Sequence, residues 1–459
     1  MLLVLLFVVS LPAVTPRIYS SDEVQYFAYL RSLWFDHDLS FENEYRYFYD
    51  RGIARSEGFR ETFLELETDT HHRINFGTIG CAILWSPFYG AGDLVARATG
   101  ATRDGFSKPY VAAVAYGSAV YGFLAVVLAI RCAGRLGFNG FAAGLAVWFG
   151  TPLLFYMYVA PPFSHACSAF GVALFTWVWL HVRDDRSPRG MLALGAAAAL
   201  MVMVREQDLF FIAGPAVDFA WSAVNAKGQM PNAKRVLASA TAGILSFVIV
   251  FAPQAATYLV LNGHLGPHAS VSNKMSWTAP HALQVLFSPE HGLFIWTPLA
   301  AICLAGLVTL LLPPNQPPPR LRRSAEALCE GGRWKRQVAI CLLVMVAFQV
   351  YIGGSVESWT VAGGFGQRRF IALTTALVIG YGAVRPASRG AAALWTAITV
   401  LCVYWNLALT AEFATGLMDR QRLEPQKNAY DAFVTLPRMA PSLAYRYLFE
   451  RSSFYKHGS

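Results

Sequence analysis

Two adjacent acidic residues, Asp22 and Glu23, follow directly on the first apolar run of the chain. A carboxylate held at the face of a membrane can act as a general base toward a hydroxyl group. Position alone favours a simpler interpretation, in which both carboxylates are solvated charges at the end of a helix. A catalytic role for the pair therefore needs support from the rest of the sequence.

A second group of acids lies in the segment Phe35–Tyr45, which includes Glu44. Together with His71 and His72, these carboxylates could bind a divalent metal, because carboxylate and imidazole groups both ligate such ions. Their spacing matches no established metal-binding motif. A hydrated acidic loop is the favoured interpretation, so no cofactor is assigned and a divalent metal stays open.

Two further polar residues stand at the ends of apolar runs. His165 follows Ala160-Pro-Pro-Phe-Ser, and Arg205 begins the sequence Arg-Glu-Gln-Asp. The imidazole could bind substrate or lie at the membrane interface. The guanidinium could bind an anion or extend to the surface. Both residues are candidate substrate-binding groups.

The segment Gly363–Phe370 reads Gly-Gly-Phe-Gly-Gln-Arg-Arg-Phe and precedes an apolar run. Glycine lets a backbone approach a ligand closely. Arg368 and Arg369, with Gln367 beside them, could hold a phosphate group at the start of a helix, where backbone N–H groups add to the positive field. The alternative is a flexible loop followed by charges that anchor the helix.

Composition places these residues in a membrane protein. Of the 459 residues, 55% are hydrophobic and 14% are charged, whereas a soluble domain has about 25% charged residues. We predict an all-α polytopic fold of about eleven transmembrane helices. The apolar runs lie near 1–15, 110–131, 139–159, 164–182, 190–204, 207–224, 236–262, 291–312, 337–353, 369–385 and 391–411.

The basic residues predict the orientation of these runs. They follow the second, fourth, sixth, eighth and tenth runs, so the loops share one side, which we predict to be cytoplasmic. The first outer segment, about 16–108, and the tail, 412–459, then face outward. Residues 76–98 are predicted to be an interfacial helix, because a span here would reverse every later loop. The basic residues concerned are Arg131, Arg135, Arg183, Arg186, Arg189, Lys227, Lys234, Arg235, Arg320, Arg322, Arg323, Arg333, Lys335, Arg336, Arg385 and Arg389.

Four other features complete this description. Residues 1–14 lack a basic n-region and are interpreted as a first membrane helix, not as a cleaved signal. The segment Leu312–Gln337 is rich in proline and basic residues, and we predict a cytoplasmic linker. The seven cysteines form no metal-binding pattern and are interpreted as small buried hydrophobic residues. The net charge of +9 shows no basic stripe with interleaved aromatic residues, so nucleic acid is set aside.

In order along nearly the whole chain, these pieces resemble the GT-C superfamily of membrane glycosyltransferases. The resemblance is to the branch of protein O-mannosyltransferases and aminoarabinose transferases, with their bacterial relatives. The segments that carry it are Asp22-Glu23, Tyr29–Tyr45, Asn75–Phe88, Phe287–Pro298 and Gly363–Phe370.

The resemblance implies an inverting transfer of a sugar from a polyprenyl-phosphate donor to a lipid, glycan or protein acceptor. It implies a multi-pass protein of the bacterial inner membrane, in contact with membrane lipids, with an active site on the extracytoplasmic face of the cell envelope. The family's acidic residue after the first span serves as the base and matches Asp22, and Glu23 matches its neighbour. Some members use a divalent metal. A further Asp-x-Asp pattern occurs here at Asp36-His-Asp38, which leaves metal dependence open.

Two other classes of function stay open. A transporter or flippase for lipid-linked sugars commonly has internal repeats and helices broken in mid-span, and neither is evident in this sequence. A non-catalytic binder of envelope glycolipids has no need for the Asp22-Glu23 pair. The sequence contains no glycine-rich nucleotide-binding unit, which agrees with a donor other than a sugar nucleotide.

The alternating basic loops generate a topology prediction. Reporter fusions in the loops after the second, fourth, sixth and eighth runs should give a cytoplasmic signal. Fusions in the first outer segment, after the seventh run and in the tail should report the outer side. A cytoplasmic signal at Asn273 would contradict the orientation. The fusion points are Gly137, Asp185, Asn232 and Arg323 for the cytoplasm, and Gly58, Asn273 and Asp431 for the outside.

Overall fold

A computed structural model describes residues 1–54, 56–224, 233–312, 322–361, 363–384 and 386–451, with backbone only for 322–331. Within these residues the secondary structure is helical, apart from two isolated β-bridges, Glu67–Arg73 and Met275–Val356. The predicted charges Lys227, Arg320 and Arg385 lie outside the described residues.

The helices are numerous and of very different length. The α-helices are Leu2–Ser10, Ser21–Arg31, Glu42–Asp50, Glu57–Phe59, Gly80–Thr99, Lys108–Arg135, Gly140–Gly150, Leu153–Tyr158, His165–Val182, Pro188–Val204, Ala213–Val224, Ala233–Asn262, Ala269–Ser272, Gln284–Phe287, Leu293–Trp296, Pro298–Thr309, Arg322–Ser355, Thr374–Ala383, Arg389–Thr415, Pro425–Tyr430 and Leu436–Phe449. Short 3₁₀-helices are Leu11–Ala13, Glu206–Ile212 and Arg368–Leu373, and π-helical turns are Ser32–Asp36, Arg60–Glu65 and Asp431–Thr435.

Five helices in the described part of the chain are long and apolar enough to cross a bilayer. Other predicted runs form shorter helices, and several consist of two helical pieces. The run 139–159, for example, divides at Pro152, whose ring cannot continue a helix. The prediction of an all-α polytopic membrane protein is confirmed. The five helices are Lys108–Arg135, His165–Val182, Ala233–Asn262, Gly332–Ser355 and Arg389–Thr415.

Two boundaries differ from the predictions. The linker predicted over Leu312–Gln337 is wrong in its second half, because the helix Arg322–Ser355 begins inside it. Its alanine, leucine and arginine residues are good helix formers, and they outweigh the charge pattern that led to a linker. The last long helix continues to Thr415, four residues beyond the predicted end of the apolar run. Residues 80–99 form the helix predicted for the interfacial segment, and its depth in the bilayer stays a prediction.

The predicted basic loops lie together at one end of the bundle, called here the basic end. Arg183 pairs with Asp218 at 2.6 Å, and Arg235 pairs with Asp185 at the same distance. The ammonium group of Lys335 lies 5.1 Å from the ring centre of Phe138. Loops that follow different spans are therefore in direct contact, as their charge pattern predicts.

The tail returns to the first helix at the other end of the bundle. The guanidinium group of Arg451 donates to the carbonyl groups of Pro12, Ala13 and Val14 at 2.5, 2.7 and 3.1 Å. Carbonyl groups at the end of a helix lack partners within the helix, so a cation there is stabilising. The tail therefore lies at the same end as the segment that carries Asp22.

Glycine allows the closest helix contacts. A Cβ atom built on Gly380 would lie 2.0 Å from the carbonyl oxygen of Cys303, and one on Gly306 would lie 2.0 Å from that of Gly380. The helices Pro298–Thr309 and Thr374–Ala383 thus meet backbone against backbone. In a lipid environment such small-residue contacts are a main source of helix association.

This contact generates a stability prediction. Gly380→Ala should destabilise the protein by about 1–3 kcal/mol, because the added methyl group overlaps a main-chain oxygen. Gly134→Ala is the matched control, because Gly134 lies in a helix and a Cβ atom there would meet nothing within 4 Å. Thermal unfolding of both variants in detergent measures the effect. An unfolding midpoint of Gly380→Ala equal to that of the control would contradict the close packing.

Candidate active site

Asp22 and Glu23 lie in the first turn of the helix Ser21–Arg31. Ser20 begins this helix as its N-cap, and its hydroxyl accepts a hydrogen bond from the Glu23 N–H at 3.4 Å. In return, the N–H groups of Tyr19 and Ser20 donate to Glu23 Oε2 at 2.7 and 3.0 Å. This reciprocal pattern is a capping box, which satisfies N–H groups that the helix leaves free. The capping box therefore fixes the orientation of the Asp22 side chain at the start of the helix.

Glu23 is buried, and this burial governs its charge. Burial raises the pKa of Glu23 to about 8, against the opposing effect of the two backbone hydrogen bonds. Its Oε1 atom is buried without a hydrogen-bond partner in the described part of the chain. At neutral pH the carboxyl group is therefore mostly protonated. The structure gives Glu23 a capping role beside Asp22.

Asp22 differs from its neighbour, because its side chain is 41% exposed and forms an ion pair. Its Oδ2 atom lies 2.9 Å from Nη2 of Arg368. The guanidinium group of Arg368 also lies 5.1 Å from the ring centre of Phe163. The candidate base and a candidate phosphate-binding residue, 346 positions apart in the sequence, are thus in direct contact.

His165 and Arg205 form a second contact at this end. Arg205 Nη1 donates to Nδ1 of His165, so the ring is neutral and carries its proton on Nε2. The imidazole is buried, with its centre 4.6 Å from the Tyr156 ring and 5.7 Å from the Phe163 ring. Phe163 thus lies against both His165 and Arg368. These contacts bring His165, Arg205, Asp22 and Arg368 together in one cluster. The end of the bundle that contains this cluster is called here the site end.

The glycine-rich segment is held from two sides. The hydroxyl of Tyr156 accepts from the Phe365 N–H at 3.0 Å and donates to the Phe365 carbonyl at 3.3 Å. His291 donates from Nε2 to the Gly364 carbonyl at 2.9 Å. Gly366 has a φ of +57°, and a Cβ atom there would lie 2.7 Å from the Pro152 ring. The backbone path that aims Arg368 at Asp22 therefore requires glycine.

The two neighbours of Arg368 support the segment. Arg369 donates to the carbonyl and hydroxyl oxygens of Ser358 at 2.9 and 3.0 Å. The side-chain amide of Gln367 is buried and donates to the Trp359 carbonyl at 3.1 Å. Both side chains point back to the loop that precedes the glycines, whereas Arg368 points to Asp22.

Glu44 and His72, both candidate substrate-binding residues, make their contacts elsewhere. Glu44 is buried and pairs with Arg31 at 2.9 Å, and burial raises its pKa to about 7. His72 Nδ1 lies 3.0 and 3.1 Å from the carbonyl and hydroxyl oxygens of Thr70. These contacts stabilise the outer segment, and none of them reaches Asp22 or Arg368.

The acids considered as metal ligands are also engaged. Asp36 accepts from Arg31 and Asn43, and Asp38 accepts from Ser32 Oγ at 2.7 Å. No three histidine, cysteine, aspartate or glutamate side chains in the described ranges come together as a metal site. The Asp36-His-Asp38 segment with His71 and His72 therefore does not form the site considered from the sequence.

Aromatic and basic residues that the sequence did not single out complete the cluster. Tyr26 lies one helical turn after Asp22 and close to Arg205, and burial raises its pKa. Tyr19 is partly buried near Glu23, Arg368 and Arg420, and this burial raises its pKa as well. The spacing of Asp22 and Tyr26, which places both on one helix face, is the signal that could have found Tyr26.

The raised pKa of Glu23 generates a prediction about pH. A carboxyl group whose pKa is higher in the folded state stabilises the fold fully below its ordinary value, near 4.5, and this contribution is lost as pH rises through about 8. Glu23→Gln keeps an oxygen that can cap the helix and removes the titration. Its unfolding midpoint should therefore fall less than that of the wild type between about pH 5 and 8.

The exposed Glu290 supplies the matched control for this measurement, because Glu290→Gln should follow the pH dependence of the wild type. Thermal unfolding in detergent across this pH range compares the three proteins. Parallel curves for the wild type and Glu23→Gln would show that Glu23 keeps an ordinary pKa.

Comparison with known proteins gives one structural likeness. No family model matches the chain, and no curated protein matches it in sequence. The fold is similar to the crystal structure of ArnT from Cupriavidus metallidurans bound to undecaprenyl phosphate, with a TM-score of 0.50 and 13% sequence identity. The match covers 91% of this chain and 70% of that one. The chain therefore has the fold of the GT-C membrane glycosyltransferases, as its sequence resemblance predicts.

Proposed function

We propose that this protein transfers a sugar from a polyprenyl-phosphate donor to an acceptor hydroxyl at the extracytoplasmic face of the bacterial inner membrane. The observation that carries the proposal is the contact of a half-exposed carboxylate, Asp22, with Arg368 at one end of a GT-C fold. ArnT, which shares this fold, was crystallised with undecaprenyl phosphate, and this supports a lipid-phosphate ligand for the present chain.

The charges at the site end favour an anionic ligand. Arg205, Arg368 and Arg369 are close enough to influence one another, and Asp22 is near the last two. Glu23 is mostly uncharged at neutral pH, as shown above. Arg368 thus faces the Asp22 carboxylate, with Arg205 and Arg369 nearby, and the excess positive charge suits a phosphate. At the edge of a low-dielectric bundle such an attraction is stronger than in water.

The same charges suit the leaving group of the reaction. As the bond between the anomeric carbon and the phosphate oxygen breaks, its electron pair stays on the phosphate, where the arginines meet the growing charge. Arg368 would then exchange its pairing with Asp22 for a pairing with the phosphate. This exchange leaves the Asp22 carboxylate available as a base.

Asp22 would complete the transfer from the opposite side of the sugar. The acceptor oxygen forms a new bond to the anomeric carbon while its proton passes to the Asp22 carboxylate. Attack opposite the leaving phosphate inverts the anomeric configuration. The capping box supports this role, because it holds Asp22 at a fixed position just beyond the first helix.

The first test of the proposal is Asp22→Asn, which keeps the size of the side chain and removes its basicity. We expect transfer to fall about 10²–10⁴-fold, the usual contribution of a general base. Transfer is measured as loss of polyprenyl-phosphate sugar from a bacterial lipid extract, and binding is measured with undecaprenyl phosphate. Asp69→Asn is the control, because Asp69 is exposed in the outer segment.

Three outcomes separate the alternatives. Loss of transfer with retained binding supports Asp22 as the base. Full transfer by Asp22→Asn would remove it from the mechanism. Binding of undecaprenyl phosphate without transfer by the wild-type protein, across lipid extracts and acceptors, would favour a flippase or a non-catalytic binder.

The second test concerns Arg368. Arg368→Ala should weaken binding of undecaprenyl phosphate by about 10- to 100-fold, as expected for loss of a charge-assisted hydrogen bond. Arg368→Lys should recover binding only in part, because lysine lacks the planar fork of donors. Arg438→Ala is the control, because Arg438 is exposed on the tail helix. Unchanged binding by Arg368→Ala would place the phosphate elsewhere.

A further inference from the structure

A second polar site lies at the basic end of the bundle. A pocket of about 330 Å³ opens there between the ends of the helices His165–Val182 and Ala213–Val224 and the side of the helix Arg322–Ser355. The helix His165–Val182 runs from the site end to this pocket, and its 18 residues span about 27 Å. The pocket is therefore remote from Asp22 and takes no part in the proposed transfer.

A buried ion pair builds the floor of this pocket. Asp218 is fully buried and accepts two hydrogen bonds from Arg183, at 2.6 and 3.0 Å. Trp179 and Gln337 donate to the same carboxylate at 2.9 and 2.7 Å. All three helices contribute to this network. Trp179 lies in the first helix and Arg183 directly after it, Asp218 lies in the second, and Gln337 lies in the third. A buried carboxylate that accepts four hydrogen bonds from side chains around it holds the pocket in a fixed shape.

The rim of the pocket carries uncompensated positive charge. Arg186 and Arg333 line it, and neither has an acidic partner within ion-pair distance in the described part of the chain. Arg186 donates from Nε to the Arg183 carbonyl at 3.0 Å, and its guanidinium group lies 4.8 Å from the ring centre of Phe219. The acid on the rim, Asp184, lies 3.7 Å from Arg183, which is already paired with Asp218, so the three arginines exceed the two acids by one charge. An anion is the ligand that this rim favours.

Trp334 forms an aromatic wall beside these charges. The guanidinium group of Arg183 lies 5.6 Å from its ring centre, which orders the indole over the buried pair. Tryptophan is enriched at the depth of the lipid headgroups in membrane proteins. Basic pockets between membrane helices, at the depth of the lipid headgroups, can bind phospholipid headgroups.

We propose that this pocket binds the phosphate group of an anionic phospholipid, through Arg186 and Arg333. The volume suits a headgroup, and Trp334 supplies an apolar side for the glycerol region of the lipid. A bound headgroup would join the loop after Val182 to the part of the helix Arg322–Ser355 that carries Trp334. Lipid bound there stabilises the folded state by mass action.

The experiment compares two lipids on the purified, full-length protein. Phosphatidylglycerol should raise the thermal unfolding midpoint in detergent, whereas phosphatidylcholine should not. The double variant Arg186→Gln/Arg333→Gln should require about 10-fold more phosphatidylglycerol for the same shift. Arg189→Gln is the matched control, because Arg189 is exposed at the start of the helix Pro188–Val204, three residues after Arg186, and does not line the pocket. These variants leave the Arg183–Asp218 pair intact.

A third arm uses inorganic phosphate without added lipid. No shift with millimolar phosphate supports the lipid as the source of the phosphate group. A shift that the double variant abolishes would support the phosphate site and overturn the lipid as its source. Equal responses of the double variant and the wild type to phosphatidylglycerol would overturn the site altogether. If the double variant fails to fold, Arg333→Gln alone serves, because Arg333 is exposed.

Discussion

The ion pair between Asp22 and Arg368 is the contact on which the site depends. It joins the helix Ser21–Arg31 to the segment that follows the glycine run. The pair is only partly withdrawn from water, so its geometry depends on the surrounding structure more than on the attraction between the two charges. The surrounding structure therefore has to hold both residues in place. The capping box holds Asp22 in place. The segment that carries Arg368 is held by the contact of Phe365 with Tyr156 and by that of Gly364 with His291.

The pair also explains how one site could bind a lipid phosphate and provide a base. In the absence of donor, each charge stabilises the other across 2.9 Å. In the proposed mechanism, a donor phosphate would compete with Asp22 for the same guanidinium group, and its arrival would free the carboxylate. Binding and activation would then be two consequences of one exchange of partners. The protonated Glu23 beside Asp22 keeps a second negative charge away from the arriving phosphate.

Much of the site could be predicted from the sequence, because its residues stand where apolar runs end. Asp22, His165, Arg205 and Arg368 were each assigned to the outer end of a predicted run, and the structure brings all four together. The length of an apolar run indicates whether it can cross the membrane. The alternation of basic loops indicates which ends of the runs lie on the same side of the membrane. These two constraints are enough to group residues that are far apart in the chain.

The other candidate residues show which contacts cannot be predicted from apolar runs and charge alternation. Glu44 and His72 lie in the outer segment, where no bilayer fixes their height, and their contacts with Arg31 and Thr70 could not be foreseen. The capping role of Glu23 could have been predicted, since Ser20 stands three residues before it. The linker predicted over Leu312–Gln337 is wrong in its second half, because the prediction gives more weight to proline and charge than to helix propensity.

The most direct measurement of the central claim is mass spectrometry of envelope glycans from cells with and without this protein. The account predicts that one sugar is missing from a defined acceptor when the protein is absent. It also predicts accumulation of the polyprenyl-phosphate sugar, return of the modification with the wild-type gene, and no return with Asp22→Asn present at equal abundance. Unchanged glycans and unchanged lipid-linked sugars in cells that lack the protein, under conditions in which it is normally produced, would contradict the account.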